Sequence, residues 1–113
     1  MTQSDSPAVP LPPGFRWPDG IRAAATFTFD LDAEAAILAD HPRTADYLDT
    51  MAHQRYGPRT AVPRLLRMLD RRGVRATFFI PGWVAEQWPA AARSIRDAGH
   101  EIAHHGYLHE SVR

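Results

Sequence analysis

The order of the predicted secondary-structure elements limits the fold of this chain more than any other feature. An apolar, β-branched run over residues 23–31 has the length of a buried strand, and a second run over 74–80 is stopped by Pro81. A third, shorter run covers 100–103. Helical patterns separate the three runs, and strands joined by helices of this length lie parallel with right-handed crossovers. The sequence therefore predicts an α/β fold, with parallel β-strands alternating with helices, as an open doubly wound sheet or part of a barrel.

Two helical patterns connect the predicted strands. The first covers 61–72, with Thr60 as its N-terminal cap and Gly73 as its C-terminal cap. Its apolar residues recur at the spacing of a buried helical stripe: Val62, Leu65, Leu66 and Leu69. The second pattern runs from about residue 83 to residue 98 and is expected to restart at Pro89.

The remaining segments are predicted to be irregular. Residues 34–58 show no clean period and contain proline and glycine breakers, which favours a long loop with one helical turn near 45–51. Residues 1–20 hold five of the ten prolines and are expected to form an extended arm, which leaves 21–113 as the domain. Because parallel sheets need cover on both faces, three strands are expected to be the N-terminal portion of a larger domain and marginally stable alone.

The composition bears mainly on partners and on metal ligands. Thirteen basic residues balance thirteen acidic ones, so no strong field directs the chain to nucleic acid or to an anionic membrane. No apolar run approaches the roughly 20 residues that span a bilayer, and no secretion signal is visible, so a cytoplasmic protein is expected. The chain has no cysteine, so a metal would be held by nitrogen and oxygen ligands. Self-association into a homo-oligomer stays open.

Two carboxylates stand at the end of the first predicted strand. Asp30 and Asp32 are two positions apart, and strand residues at that spacing share a face. Active sites of α/β proteins form at the C-terminal ends of strands, and neighbouring carboxylates repel unless a cation or a shared proton compensates. An acidic pair by itself is more often a solvated loop start or a helix cap. Glu34 is a weaker member of the same cluster.

Histidines are concentrated after the start of the third predicted strand, where four of the six fall within residues 100–109. His105 and His109 are four apart, and a helix or a tight turn would direct both rings to one place. Histidine is a common ligand of zinc and similar metals. His100 and His104 are more simply explained by packing or hydrogen bonding.

The acidic pair and the histidine pair are expected at the same edge of the parallel sheet. One aspartate and two histidines leave positions open on a divalent cation, which can then activate water and polarise a carbonyl group. The other aspartate can take up the proton of that water as a general base. Such a set could hydrolyse an amide or an ester.

Three segments resemble the polysaccharide deacetylase (NodB-homology) family: residues 28–34, 75–82 and 99–110. The similarity extends over about residues 22–110. It implies the N-terminal part of a distorted (β/α) barrel, NodB-like, and a divalent metal with zinc as the first expectation. By match of motif, the resemblance implies a catalytic base at Asp30 and the metal ligands Asp32, His105 and His109.

The spacing of the aspartates distinguishes this chain from the commonest form of the family, in which they are adjacent. The spaced form resembles a branch of peptidoglycan-deacetylase-like proteins, to which ring-opening amidases such as allantoinases and cyclic imidases are related. The leading hypothesis is a metal-dependent hydrolase of non-peptide carbon–nitrogen bonds that removes N-acetyl groups from amino sugars. The alternatives are a ring-opening amidase of small cyclic amides and a catalytically incomplete metal-binding fragment. The family's later motifs, which supply substrate-wall residues and a general acid, have no counterpart before Arg113.

Overall fold

Three short parallel strands form the sheet in the computed structural model, which describes residues 12–111. They are β1 (Thr28–Asp30), β2 (Thr77–Ile80) and β3 (Glu101–His104), in the spatial order β1-β2-β3. Both pairings are parallel, as the helical crossovers require. The predicted α/β fold with parallel strands is confirmed.

The strands are shorter than the apolar runs predicted, because the ends of those runs make only isolated ladder bonds. The N–H of Thr77 donates to the carbonyl of Phe27 at 3.0 Å, and the N–H of Leu31 donates to the carbonyl of Phe79 at 2.9 Å. Strand boundaries are the least reliable part of a prediction from sequence.

The crossover from β1 to β2 ends in the predicted long helix, and the crossover from β2 to β3 contains two shorter helices. They are α3 (Val62–Arg72), α4 (Gly82–Gln87) and α5 (Pro89–Asp97), so the predicted restart at Pro89 is confirmed. Gly73 follows α3 with a left-handed φ of 61°, as the predicted C-terminal cap requires. The predicted N-terminal cap is wrong: Thr60 lies inside a π-helical turn, Gly57–Ala61, that continues directly into α3.

The prediction of a long loop over residues 34–58 is also wrong, because most of this segment is helical. It contains α1 (Ala35–Asp40), a 3₁₀ turn (Pro42–Asp46) and α2 (Leu48–Gln54). Helices of six and seven residues are too short to show a clear period of 3.6 residues in the sequence. Proline in this segment starts a turn, where a missing N–H costs little, and does not interrupt a helix.

The hydrophobic core lies on one face of the sheet. Phe78 and Ile80 of β2 are buried there, against Val62 and Leu69 of α3 and Ile95 of α5. The predicted stripe on the long helix is confirmed, since its remaining members pack at the edge of the same cluster. The other face of the sheet carries six residues, none of which is buried: Thr28, Asp30, Thr77, Phe79, Glu101 and Ala103.

The segment before the sheet is exposed where it is described. Residues 12–20 contain two tight turns, and the rest of the predicted proline-rich arm, 1–11, lies outside the described residues. Among residues 12–111, no helix combines the length and the apolar content that a bilayer crossing demands.

Candidate metal centre

The end of β1 presents two carboxylates on the side of the strand opposite the core. Leu31, which stands between them, points inward and is buried. Asp30 is exposed, Asp32 is partly buried, and both line one cavity of about 340 Å³. The predicted shared face of the two aspartates therefore holds, and it follows from the alternation of side chains along an extended chain.

The turn after Asp32 has an unusual backbone. Ala33 has a φ of 44°, in the left-handed region that non-glycine residues enter rarely, and its side chain is nevertheless buried. The N–H of Ala35 then donates to the carbonyl of Asp32 at 2.9 Å, which starts α1. Strained backbone of this kind persists only where surrounding contacts hold it, and it is commonest at functional sites.

The two histidines lie on an irregular loop after β3, and not on a helix. His109 has a φ of 61° and Gly106 a φ of 70°, and these two positions turn the chain back on itself. The loop rests on the start of α4, where the N–H of Gly82 donates to the carbonyl of Gly106 at 3.0 Å and the N–H of Trp83 donates to that of Tyr107 at 2.9 Å. The predicted helix or tight turn is therefore wrong, and an irregular loop with two left-handed positions carries both histidines.

Two carboxylates stabilise this loop. Glu110 accepts hydrogen bonds from the backbone N–H groups of Leu108 at 3.0 Å and Tyr107 at 2.9 Å, and such bonds to its charged form lower the pKa of the Glu110 carboxyl. The hydroxyl of Tyr107 donates to Glu86 of α4 at 2.9 Å, and this bond to a carboxylate raises the pKa of the Tyr107 hydroxyl. The loop is thus attached to α4 through both backbone and side chains.

Asp32, His105 and His109 come together at the edge of the sheet. Nε2 of His105 lies 3.6 Å from Oδ1 of Asp32, and Nε2 of His109 lies 3.8 Å from Oδ2. One ligand atom from each residue can be chosen so that all lie within 4.8 Å of one another. The two imidazole rings are 4.8 Å apart and nearly perpendicular, at 79°. The three residues thus form one cluster, although they are far apart in the chain.

The donor set fits a divalent cation better than it fits direct contacts between the side chains. Both imidazole–carboxylate separations exceed hydrogen-bond length, and Oδ1 of Asp32 is buried without a hydrogen-bond partner among the described residues. Ligand atoms about 2.0–2.2 Å from a tetrahedral ion lie roughly 3.3–3.6 Å from one another, close to the separations seen here. Carboxylate oxygen and imidazole nitrogen are donors that zinc accepts.

The cavity beside the two aspartates has a second wall that the sequence does not predict. The end of α2 and the residues after it contribute His53, Gln54 and Tyr56. These side chains were missed because their segment was assigned to a loop. The only sign of these side chains in the sequence was the length of the segment, because long loops in compact domains usually have a function.

Glu34 does not join the acidic cluster. It is buried, with 5% of its side chain exposed, and it accepts hydrogen bonds from Nε of Arg55 at 3.0 Å and from Nε1 of Trp88 at 2.8 Å. His100 has the structural role expected of it, because its Nδ1 accepts a hydrogen bond from the N–H of Ala76 at 3.2 Å and its ring packs 5.6 Å from that of Phe78.

Comparison with known proteins identifies the family. The polysaccharide deacetylase family matches residues 22–113. Over 91 residues the chain is 35% identical to a peptidoglycan deacetylase-like protein from Gibberella zeae, covering 79% of this chain and 27% of the relative. Over 82 residues it is 34% identical to a peptidoglycan deacetylase from Helicobacter pylori, covering 73% and 28%.

A solved structure agrees with the sequence comparisons. The fold matches the crystal structure of a proposed polysaccharide deacetylase from Mycobacterium smegmatis with a TM-score of 0.83 and 57% identity, over 86% of this chain and 34% of that one. The chain spans little more than a quarter of the length of the two curated relatives that it matches. On the match to the family over residues 22–113, this chain belongs to the polysaccharide deacetylase family.

Proposed function

We propose that this chain supplies the metal-binding part of the active site of a deacetylase, a hydrolase of the carbon–nitrogen bond in N-acetyl groups on amino sugars. The observation that carries the proposal is the buried Oδ1 of Asp32, which has no hydrogen-bond partner among the described residues and lies 3.6 Å from Nε2 of His105, with His109 beside the other oxygen. A buried carboxylate oxygen without a partner is costly, and a cation shared with two imidazoles would remove that cost.

In this proposal Asp32, His105 and His109 hold a divalent metal, with zinc as the ion that suits their nitrogen and oxygen atoms. A bound divalent ion supplies Lewis acidity, which polarises an amide carbonyl and makes water a nucleophile near neutral pH. With two neutral imidazoles and one carboxylate, the three residues would offset only one of the two positive charges of a divalent ion.

Asp30 is assigned the role of general base. Its carboxylate is exposed and lines the same cavity as Asp32, so it can reach water beside the metal centre. A carboxylate oxygen of Asp30 would accept the proton of the attacking water. The proton that the leaving amine needs would come from the general acid of the family's later motifs. Asp32 is already committed to the imidazole cluster, which makes Asp30 the free carboxylate of the pair.

The proposed substrate class follows the relatives. One relative compared above is named a peptidoglycan deacetylase and another a peptidoglycan deacetylase-like protein, and a further relative is named a chitin deacetylase. An acetylated amino-sugar polymer is therefore favoured over a small cyclic amide. That the three strands form part of a distorted (β/α) barrel, with the largely polar sheet face inside, belongs to the same proposal.

Metal analysis of the purified chain tests the proposal. We expect about one divalent ion per chain in the wild type, and loss of that ion in His105→Ala and His109→Ala. His41→Ala is the matched control, because His41 is exposed and lies outside the cluster. An unchanged metal content in the His105/His109 double variant would show that the site is assigned wrongly.

A further inference from the structure

Glu34 is a buried charge for which the proposed chemistry has no use. Its carboxylate accepts one hydrogen bond from Arg55, 21 residues away, and one from Trp88, 54 residues away. Burial of an unpaired carboxylate would be strongly unfavourable, so these two bonds are what permit Glu34 to lie inside the protein. A long-range pairing of this kind fixes the relative position of the segments that it joins.

The segment that Glu34 fixes is the one that carries Asp32. Only Ala33 separates the two residues, and its left-handed φ of 44° leaves little freedom between them. The carboxylate of Glu34 therefore determines where the chain turns after β1. The guanidinium of Arg59 lies over the ring of Trp88, 5.4 Å from its centroid, and gives the indole a second contact.

Helix α4 connects the hydrogen bond between Trp88 and Glu34 to the histidine loop, the segment from His105 to His109. At its start, the N–H groups of Gly82 and Trp83 donate to carbonyls of the loop between His105 and His109. Immediately after its end, the indole of Trp88 donates to Glu34. One helix of six residues thus contacts the segments that carry both parts of the cluster.

We infer that the hydrogen bond from Trp88 to Glu34 is a positioning contact that sets the distance between Asp32 and the two histidines. Neither Glu34 nor Trp88 would touch the metal, and both act through the segments to which they are attached. The inference rests on the proposed metal site. It adds the residues that hold Asp32 at binding distance from His105 and His109.

Trp88→Phe tests the inference, since it removes the indole N–H and keeps an aromatic ring. We expect zinc affinity, measured by competition with a chromophoric chelator, to fall by about tenfold, as for contacts that orient metal ligands from outside the coordination sphere. The visible absorption of the cobalt(II)-loaded variant should also differ from that of the wild type, because cobalt absorption reports ligand geometry. Glu34→Gln, which keeps an acceptor for the indole, should lose less affinity than Glu34→Ala.

Two control variants separate positioning from general stability. Ile95→Val removes one methyl group from the buried side of α5, and Asp97→Asn removes a carboxylate whose ion pair with Arg96 is exposed. Both should bind zinc within about twofold of the wild type. Affinities are compared well below the thermal transition of each metal-free variant, so that all chains are folded.

The outcomes distinguish the inference from the proposed function. Trp88→Phe could lower the melting temperature while its zinc affinity and the spectrum of its cobalt(II)-loaded form equal those of the wild type. In that case the contact is merely structural and the inference is wrong. If the wild type itself binds neither zinc nor cobalt, the proposed function is wrong. A loss of affinity in Trp88→Phe with wild-type binding by Ile95→Val would establish the positioning role.

Discussion

Asp30 and Asp32 lie two positions apart, and their surroundings give them different chemistry. Asp32 is partly buried and has both imidazoles within 4 Å of its oxygens, whereas Asp30 is exposed at the rim of the cavity. A carboxylate among metal ligands cannot also move protons freely, while an exposed one can exchange them with water. Alternation along the strand places both carboxylates on one face, because Leu31 between them is anchored in the core, and the two differ in how far they are exposed.

Asp30→Asn should therefore separate binding from catalysis. The variant keeps the shape of the side chain and all three proposed ligands, so its zinc content should equal that of the wild type. Release of acetate from acetylated amino-sugar oligomers should fall by about 10²- to 10⁴-fold, the usual contribution of a general base. Asp32→Asn is the comparison, and it should lose the metal together with activity. Loss of zinc from Asp30→Asn would show that Asp30 is a ligand.

Gly106 is a second residue whose substitution has a defined expectation. A Cβ there would lie 2.6 Å from Oε2 of Glu110, the carboxylate that holds the loop, and the φ of 70° disfavours any side chain. Gly106→Ala should lower the free energy of unfolding by about 1–2 kcal/mol through its backbone and should also weaken zinc binding. Gly73→Ala has a similar φ of 61° and open space around it, so it should show the stability loss alone. Equal zinc affinity in the two variants would contradict this prediction.

The three residues of the metal-ligand cluster could be predicted from the sequence, whereas the hydrogen bonds of Glu34, which fix the segment beside the cluster, could not. Asp32, His105 and His109 follow strands that had to be parallel, so their common edge could be predicted before any coordinates. The partners of Glu34 lie 21 and 54 residues away and come from a helix end and a helix junction. No periodicity or motif encodes such a pairing, because it depends on how the crossovers pack.

At the scale of elements, the segment between β1 and α3 is the largest departure from prediction. Two short helices and a 3₁₀ turn replace the expected loop, and they bring the end of α2 to the cavity that Asp30 and Asp32 line. The helices have six and seven residues and are too short to be stable alone, so tertiary contacts through the buried Ala35 and Met51 define them. Sequence patterns fail in such segments because the deciding contacts are distant.

Within α2, His53 is the side chain that we expect to contact the substrate. It is exposed, it lines the cavity, and its imidazole can donate or accept a hydrogen bond to a sugar hydroxyl. His53→Ala should raise KM for the acetylated sugar by about fivefold, corresponding to one hydrogen bond of about 1 kcal/mol, with kcat little changed. His41→Ala provides the control. An equal fall in kcat and kcat/KM would instead place His53 in the chemical step.

The contact between α4 and the histidine loop can be tested separately from the hydrogen bond of Trp88 to Glu34, which lies at the other end of α4. A Cβ on Gly82 would lie 2.9 Å from the ring of Tyr107, so Gly82→Ala should push the loop away from the helix. We expect weaker zinc binding with only a small change in the stability of the metal-free chain, because alanine is a good helix former. Restored affinity when Tyr107→Ala is added would identify the ring as the cause, and unchanged affinity in Gly82→Ala alone would count against close packing here.

At the scale of the whole molecule, the two faces of the sheet have different characters. The face covered by α3, α4 and α5 is apolar, whereas the open face carries Thr28, Asp30, Thr77 and Glu101 beside only two apolar side chains. A polar face that ends at the metal centre is suited to the inside of a catalytic barrel, where substrate and water must enter.

The metal is expected to contribute to the stability of the whole chain, because the cluster joins the first strand to the last described loop. An ion that binds only the folded state at about 100 times its Kd adds about 2.7 kcal/mol to the free energy of unfolding. For a domain of this size, that corresponds to a rise of about 10–20 °C in Tm, measurable by circular dichroism with added zinc. Calcium should give a much smaller rise, since it prefers oxygen ligands. The His105/His109 double variant should show no rise with zinc, and an equal rise in that variant would mean that the stabilising ion binds elsewhere.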